Sequence, residues 1–468
     1  EDTKDAIGHD TAVAFRFAVD ELMGENGMHA AEAEDIVGSL AEIPDLWDVN
    51  VADWGNDSLP SRFGVEGAQA DYIRFVKNLT TKPVVGVGRF TSPDTMVSQI
   101  KRGVLDMIGA ARPSIADPFL PSKIEQGRVD EIRECIGCNM CTTGDYIAYP
   151  MRCTQNPTMG EEWRKGWHPE KITSATSNDN VLVLGGGPAG LEAALALSNR
   201  SYDVTLADAS HDLGGRVLQE TALTPLVQWK RFSDFRSYML STRANVQTFT
   251  QSRMDADIVF ELGCNHIAVA TGSKWRTDFQ GLHHREPVAH EHLTMILSPE
   301  AIMGGHVPEG RVMIFDDDHY YLGSALAEHL AMAGADVVLV TPAAEVSGWT
   351  HFTLEYEHIQ VRLRKLGVQI ICNHAIHSVG DGYVDVACVF SENTQRIEAR
   401  SVVPVTARIS EDTVYQKLIN RRSEWADHGI KTVTLIGDSL APGTIAMAVY
   451  AGHQFARELE APVDRDMP

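Results

Sequence analysis

The sequence predicts an α/β protein built on parallel sheets, and three features lead to this prediction. Residues 1–130 alternate short β-rich runs with helical patterns, which is typical of βα units. Two later regions, one starting at Asn180 and one at about Gly310, show a strand, a turn and a helix in succession. A cysteine-rich segment with few regular patterns, residues 131–173, separates the first region from the other two.

The composition is that of a globular protein with an acidic surface. The 468 residues include 40 Lys and Arg against 64 Asp and Glu, so the net charge is −24. This charge argues against nucleic acid or an anionic membrane as the main partner. The sequence has no apolar run of about 18 residues and no signal-peptide pattern. We therefore expect a cytoplasmic protein with no membrane span.

Two arginines of the first region are candidates for binding a phosphate. Its predicted strands are Ala12–Val19, Leu46–Trp54, Pro83–Phe90 and Met107–Arg112, with helices near 66–79 and 94–103. Gly88 and Arg89 close the third strand, and Ala111 and Arg112 close the fourth. In a TIM barrel, the loops after the last two strands form a phosphate site, and small residues let backbone N–H groups reach it. We predict that both arginines neutralise a phosphate, although each alone could form an ordinary ion pair.

Three further side chains are candidates for catalysis. Asp57 follows the second predicted strand, at the end where barrel active sites lie. It could act as a general base or as the counter-ion of an ammonium, to which Trp54 could offer a cation–π face. The alternative is an Asp that caps a helix and a Trp that only packs. Arg16, in the first predicted strand, is ambiguous on its own.

Four cysteines have the spacing of a metal centre. Cys135, Cys138, Cys141 and Cys153 read C-x2-C-x2-C-x11-C. Three thiolates within one short loop can ligate several corners of an iron–sulfur cubane, and the fourth arrives from a later turn. The competing interpretation is structural zinc, which usually uses separated C-x2-C pairs.

The region from residue 180 carries a G-x-G-x-x-G loop between a strand and a helix. Gly185 makes the tight turn, Gly187 lets a pyrophosphate approach, and Gly190 packs the helix on the strand. Asp208 ends the next strand, where it can bind ribose hydroxyls. The later turn Gly437–Asp438 is similar to another motif of two-domain flavoproteins. We predict ADP or an adenine dinucleotide here.

The next α/β region repeats this pattern with a different loop. Arg311–Phe315 is a predicted strand and Ser324–Ala333 a predicted helix, but the loop Asp316–Gly323 lacks the first two glycines and begins with three carboxylates. Acids near a helix N-terminus satisfy its dipole and repel a phosphate. We expect a nucleotide-binding fold without an NAD(P)H site; the alternative is an unusual but functional loop.

Longer motifs resemble one enzyme family. These are the stretches Ala111–Pro121, Cys135–Cys141, Arg152–Glu170 and His351–Glu357. They are similar to the iron–sulfur flavoprotein amine dehydrogenases, which include the trimethylamine, dimethylamine and histamine dehydrogenases. The wider family contains 2,4-dienoyl-CoA reductase and related demethylases. The resemblance covers nearly the whole chain.

The resemblance implies four domains. They are the C-terminal half (strands 5 to 8) of an old yellow enzyme-type TIM barrel that binds FMN in 1–130, a 4Fe–4S segment in 131–173, a Rossmann-like ADP- or FAD-type domain in 174–290 plus 425–468, and an NAD(P)-type three-layer domain with a degenerate loop in 291–424. Four strands cannot close a barrel. We therefore expect an N-terminally truncated copy, or a chain that needs a second chain.

The resemblance also gives the candidate residues their roles. Arg16 matches the arginine near the flavin pyrimidine edge, Trp54 a wall of the substrate bowl, and Asp57 the active-site carboxylate. The phosphate candidates of the third and fourth strands match the FMN phosphate region. Asp145, followed by Tyr146, stands where the trimethylamine enzyme has another bowl tryptophan. An Asp favours a substrate with a second positive or donor group; the alternative is that Tyr146 restores the aromatic wall.

The implied function is an amine dehydrogenase. It would oxidise a small amine, with a methylated amine as the first candidate, to an iminium ion and then an aldehyde, using FMN. Electrons would pass through the 4Fe–4S cluster to an electron-transferring flavoprotein, and ADP (or FAD) would occupy the glycine loop. A homodimer is expected by analogy. The alternatives are an NAD(P)H-dependent reductase or N-demethylase, which needs a working second loop, and a non-catalytic electron-transfer fragment.

Overall fold

The structure, a computed structural model, describes residues 1–8, 10–288, 295–391 and 393–460. It divides into two compact units, Glu1–Asn139 and Met140–Pro468. The predicted domain boundary at 290/291 lies outside the described residues. Within the described ranges, no helix has the length and apolar character needed to cross a membrane.

The first unit contains a four-stranded sheet in the order β1-β2-β3-β4, and all its pairings are parallel. The strands are β1 (Ala14–Ala18), β2 (Leu46–Asn50), β3 (Val84–Gly86) and β4 (Met107–Ile108). The α-helices are α1 (Asp2–Ile7), α2 (Ala30–Leu40), α3 (Trp54–Asp57), α4 (Ala70–Ile73), α5 (Val76–Leu79), α6 (Pro93–Lys101), α7 (Ala111–Ala116) and α8 (Leu120–Glu125). Apolar side chains of the strands and helices form one buried core, which includes Val19, Trp47, Val49, Ile73 and Val84.

Three predicted strands of this unit end earlier than expected by more than one residue. The third predicted strand, Pro83–Phe90, keeps only Val84–Gly86, so Gly88 and Arg89 follow it. Trp54 and Asp57 lie in helix α3, because the Asp53 side chain accepts a hydrogen bond from the Asn56 N–H and caps the helix. Arg112 lies in helix α7, so the fourth strand keeps only Met107–Ile108. The helix predicted near 66–79 is two short helices, α4 and α5. The βα alternation itself is confirmed.

In the described part of the second unit, the strands form four sheets. In chain order they are β5 (Asn180–Leu184), β6 (Asp203–Ala207), β7 (Val246–Phe249), β8 (His266–Val269), β9 (Ser273–Trp275), β10 (Arg311–Asp316), β11 (Asp336–Val340), β12 (Gln369–Ile371), β13 (His374–Gly380), β14 (Tyr383–Cys388), β15 (Thr394–Glu398), β16 (Ser401–Val405), β17 (Arg408–Ser410) and β18 (Thr432–Leu435). A parallel sheet β18-β8-β5-β6-β7 and a parallel sheet β12-β11-β10-β16 are the two large ones. The smaller sheets β13-β14-β15 and β17-β9 are antiparallel.

Helices cover these sheets in the order expected of nucleotide-binding folds. The α-helices of the second unit are α9 (Met140–Ile147), α10 (Pro188–Asn199), α11 (Arg216–Glu220), α12 (Arg231–Ser241), α13 (Ala256–Leu262), α14 (Pro299–Met303), α15 (Leu322–Met332), α16 (Tyr356–Lys365), α17 (Thr413–Asn420) and α18 (Ile445–Glu458). Across both units, 3₁₀ turns occupy Gly24–Asn26, Val129–Glu131, Thr224–Lys230, Gly348–Thr353, Arg422–Glu424, Ala426–His428 and Gly437–Ser439. The glycine loop lies between β5 and α10, and the acidic loop lies between β10 and α15. The predicted α/β class is confirmed.

Candidate functional site

Two side chains hold the carboxylate of Asp57 in the first unit. Asp57 Oδ1 accepts a hydrogen bond from Gln69 Nε2 at 3.0 Å, and Oδ2 lies 3.3 Å from Arg16 Nη2. Arg16 Nη1 also donates to Asp48 Oδ2 at 2.9 Å, across the β1–β2 pairing. The guanidinium therefore bridges two carboxylates. The structure brings together the predicted residues Arg16 and Asp57.

Gln69 is a member of this group that sequence analysis missed. It is only 5% exposed and contacts Asp57 twice, since Nε2 also donates to the Asp57 carbonyl oxygen at 3.2 Å. Its Oε1 accepts the Val51 N–H at 3.1 Å, just after β2. Gln69 thus fixes the carboxylate to the end of the strand. The only sequence signal was one polar residue in a predicted helix, which is too common to single out.

Trp54 begins helix α3, one turn before Asp57. Its side chain is 43% exposed, which is unusual for so large an apolar ring. A surface-exposed indole beside an acidic group is suited to contact with a cationic ligand.

The predicted phosphate residues lie at the ends of β3 and β4, in different surroundings. Arg89 is buried and has a left-handed backbone with φ of 54°, a conformation that costs about 1–2 kcal/mol for a non-glycine residue. Its Nη2 donates to the Gly64 carbonyl at 2.8 Å. A side chain at Gly88 would place a Cβ 3.0 Å from the Gly67 Cα, so the chain passes close by here. Strain of this kind is typical of functional sites.

Arg112 donates hydrogen bonds to two backbone carbonyls and one side-chain oxygen. Its Nη1 donates to the carbonyls of Ser58 and Leu59, at 3.0 and 3.3 Å, and to Asn139 Oδ1 at 2.6 Å. Ala111, the first residue of α7, is exposed next to it. Arg112 therefore braces the segment that follows Asp57.

The sulfurs of Cys135 and Cys153, two of the predicted cluster cysteines, accept hydrogen bonds from backbone N–H groups. In the first unit, Cys135 Sγ accepts from Gly137 N at 3.3 Å, in the segment that also holds Cys138. In the second unit, Cys141 lies in α9, and Cys153 Sγ accepts from Gln155 N at 3.4 Å. Backbone N–H donors stabilise negative charge on sulfur, so these surroundings fit ligating thiolates.

The glycine loop has the close contacts that the sequence predicts. A Cβ at Gly190 would lie 1.8 Å from the Gly185 carbonyl oxygen, whereas the nearest atom to one at Gly187 is 3.9 Å away. The loop is therefore packed at its third glycine and open at its second. Asp208 Oδ2 accepts the Gly186 N–H at 2.6 Å, which fixes the carboxylate beside the loop.

The other predicted nucleotide residue, Asp438, is buried between two cations. Its Oδ2 accepts hydrogen bonds from Arg216 Nη1 at 2.9 Å and from Arg408 Nη1 at 2.5 Å. Burial opposes ionisation of Asp438, but the charges of Arg216 and Arg408 outweigh it and hold the pKa of that carboxyl below its usual value. Gly437 approaches α10, since a Cβ on it would lie 2.5 Å from the Ala189 Cβ.

The acidic loop of the other parallel sheet folds back on its own helix. Asp316 and Asp317 are fully buried, and Asp316 Oδ1 accepts the His319 N–H at 3.1 Å. A Cβ at Gly323, in the first turn of α15, would lie 2.6 Å from the Asp316 carboxyl carbon. Burial raises the pKa of Asp316 to about 7. The carboxyl group occupies the helix end where a pyrophosphate would bind.

Three family models match the chain. The NADH:flavin oxidoreductase / NADH oxidase family matches residues 1–131, the NAD(P)-binding Rossmann-like domain residues 183–232, and the OYE-like second alpha/beta domain residues 297–413. The three matches lie in the regions of the β1–β4 sheet, the glycine loop and the acidic loop, respectively.

Relatives of known activity match almost the whole chain. Dimethylamine dehydrogenase of Hyphomicrobium sp. (strain x) is 39% identical, over 98% of this chain and 67% of that protein. The structure of histamine dehydrogenase from Rhizobium sp. 4-9 matches with a TM-score of 0.97 and 49% identity, over 100% of this chain and 68% of that one. That of 6-hydroxypseudooxynicotine amine oxidase from Pseudomonas geniculata N1 matches with a TM-score of 0.94 and 48% identity, over 98% and 69%.

Proposed function

This chain belongs to the family of the dimethylamine and histamine dehydrogenases, and from that membership we propose that it takes part in the flavin-dependent oxidation of a small amine to an iminium ion. The contact group of Asp57, Arg16 and Gln69 is the observation that carries the proposal. It places a fixed carboxylate at the carboxyl end of β2, where barrel enzymes have their active sites.

Asp57 is the residue that we assign to the amine. Its carboxylate pairs with an ammonium as the substrate arrives, and accepts the proton that the nitrogen must lose before oxidation. Trp54, exposed one turn earlier, supplies an aromatic face to the same cation. The neutral amine then gives up two electrons and a proton and becomes an iminium ion. Water converts the iminium ion to an aldehyde and a smaller amine or ammonia.

FMN is the cofactor that we assign to residues 1–131, where the flavin oxidoreductase model matches. FMN, when bound, would supply the acceptor for the two electrons. Arg89, with its left-handed backbone, and Gly88 support a phosphate site at the end of β3. Arg112 donates through its Nη1 to the Ser58 and Leu59 carbonyls. We assign it to positioning that segment, and to the phosphate only through its other nitrogens.

A 4Fe–4S cluster is the electron carrier that we assign to the four cysteines of the C-x2-C-x2-C-x11-C motif. The N–H donors to Cys135 and Cys153 support thiolate ligands. Zinc would use the same thiolates without any redox role. Iron analysis therefore separates the two interpretations before any activity is measured.

ADP, rather than FAD, is the nucleotide that we assign to the glycine loop. Gly187 leaves room for the pyrophosphate, and Asp208 stands beside the loop for the ribose. Asp438, the acid that a longer dinucleotide could use, is already neutralised by Arg216 and Arg408. A cofactor that extends past the pyrophosphate would compete with these internal ion pairs.

An electron-transferring flavoprotein is the acceptor that we assign, because the second loop is closed to a nicotinamide nucleotide. The Asp316 carboxyl fills the N-terminal end of α15, and Asp317 is buried beside it. A pyrophosphate would have to displace the Asp316 carboxyl and would lose its hydration in this buried position.

The test is anaerobic reduction of the flavin in the full-length, cofactor-loaded protein. Dimethylamine and histamine are added in turn, and NADH and NADPH are added in parallel samples. We expect an amine to bleach the flavin absorbance and the nicotinamides to leave it unchanged. Bleaching by NADPH alone would instead favour the reductase or demethylase alternative, and no bleaching by any reductant would favour the non-catalytic one.

A further inference from the structure

Arg236 is a fully buried cation that lies against the segment of Cys153. Its side chain is 0% exposed, and it belongs to helix α12. Arg236 Nη1 donates to Gln155 Oε1 at 2.7 Å, and Nη2 donates to the Gln155 carbonyl oxygen at 2.9 Å. A planar guanidinium that donates to both oxygens of one residue restrains its side chain and its backbone together.

Gln155 is in turn the residue that donates to the Cys153 sulfur, through its backbone N–H at 3.4 Å. Gln155 is 1% exposed. Gln155 therefore accepts hydrogen bonds from Arg236 with both of its oxygens, and its backbone amide donates to the Cys153 sulfur. The carbonyl and the amide of Gln155 belong to neighbouring peptide units joined at its Cα, so Arg236 restrains the amide by fixing the carbonyl and the side chain of the same residue.

The other side of Arg236 is anchored to the helix that follows the glycine loop. Arg236 Nε donates to Glu192 Oε2 at 2.9 Å, and Glu192 lies in α10. Glu192 Oε1 accepts from His453 Nδ1 at 2.9 Å, while His453 Nε2 accepts from Arg457 Nε at 3.0 Å. The buried guanidinium is thus balanced by a carboxylate that has its own partner, as a buried charge requires.

We propose that Arg236 is a positioning residue for the iron–sulfur cluster: it fixes the loop of the fourth cysteine and so sets how tightly the cluster is held and how readily it is reduced. The proposal rests on the proposed cluster. Hydrogen bonds to sulfur and nearby charge both tune the potential of such clusters. Groups one contact beyond the ligands typically change metal affinity or activity about 10–100-fold.

The test compares Arg236→Met with Lys230→Met in the full-length holoprotein. Lys230 precedes α12 and its side chain is 53% exposed, so its substitution removes the same charge away from the loop. The measurements are iron content, the rate of cluster release to an iron chelator, and the midpoint potential of the cluster by EPR-monitored titration. We expect Arg236→Met to release the cluster about 10-fold faster and to have a more negative potential, with Lys230→Met unchanged.

A second variant keeps the test decisive if Arg236→Met does not fold. Arg236→Met leaves Glu192 buried without its cation, which is costly. The double variant Arg236→Met with Glu192→Gln removes both charges, and we expect it to fold and still to release the cluster faster. Release rates and potentials equal to the wild type in a folded variant would overturn the proposal for Arg236. A wild-type protein without iron would overturn the proposed cluster itself, and the assignment of Arg236 with it.

Discussion

At the scale of single residues, the proposed chemistry depends most on the carboxylate of Asp57. Asp57→Asn keeps the size of the side chain and removes its charge, so it can neither pair with an ammonium nor accept a proton. We expect amine-driven reduction of the flavin to slow by about 100-fold or more, measured by anaerobic stopped-flow absorbance. Asp48→Asn is the control, since Asp48 contacts the same Arg16 but not Asp57's partner Gln69. Equal rates in wild type and Asp57→Asn would remove Asp57 from the mechanism.

Gln69 gives a second prediction at this scale. Gln69→Leu removes the hydrogen bond that orients the Asp57 carboxylate, and a misplaced catalytic group slows a reaction by about 10-fold or more. We expect the limiting rate of flavin reduction to fall by this amount and amine binding to change less. Thermal unfolding serves as the control, because Gln69 also holds the Val51 N–H. An unchanged rate in a folded variant would show that Asp57 needs no such support.

At the scale of elements, substitutions in the glycine loop distinguish effects on folding from effects on nucleotide binding. A Cβ at Gly187 has no neighbour closer than 3.9 Å, whereas one at Gly190 would meet a carbonyl oxygen at 1.8 Å. We expect Gly187→Ala to keep the melting temperature but lose nucleotide. Gly190→Ala is expected to lose nucleotide and about 1–3 kcal/mol of stability. Heating followed by chromatography of the released nucleotide measures binding, and ADP is the expected species. Full nucleotide in Gly187→Ala would contradict the assigned site.

The acidic loop predicts a dependence of stability on pH. The pKa of Asp316 is raised to about 7 by burial, above its unfolded value of about 4. The folded protein therefore binds this proton more tightly, and the free energy of unfolding falls as the pH rises between these values. Asp316→Asn has no carboxyl group to ionise at this position. We therefore expect the free energy of unfolding of the variant, minus that of the wild type, to increase by on the order of 2–4 kcal/mol from pH 4 to pH 7. Denaturant unfolding at several pH values measures this difference. A difference that does not change with pH would contradict the raised pKa of Asp316.

The elements also show which parts of the structure could be predicted from the sequence. The glycine spacing and the β-rich runs predicted the parallel sheets, because both depend on local patterns. The helix Trp54–Asp57 was missed, since its start is decided by the Asp53 cap and not by hydrophobic periodicity. Gln69 and Arg236 were missed for another reason. Their roles come from contacts with residues far along the chain, Arg236 with Glu192 being one case, and no local pattern encodes such pairs.

At the scale of the whole molecule, the described part of the chain combines one flavin-type sheet with two nucleotide-type sheets, and the loops of these two sheets differ. The open loop is at Gly187, and the loop at Asp316 is filled by its own carboxyl group. This asymmetry supports amine as the source of electrons and a protein as their acceptor. The net charge of −24 suits a partner with a basic docking surface.

The most direct test is whether an amine alone can reduce the iron–sulfur cluster. The full-length protein, with its flavin and cluster, is mixed anaerobically with dimethylamine or histamine, frozen and examined by EPR. We predict that the signal of the reduced cluster appears with an amine and without any nicotinamide nucleotide, and that Asp57→Asn delays it. A cluster that is reduced by NADPH but by no amine would contradict the account.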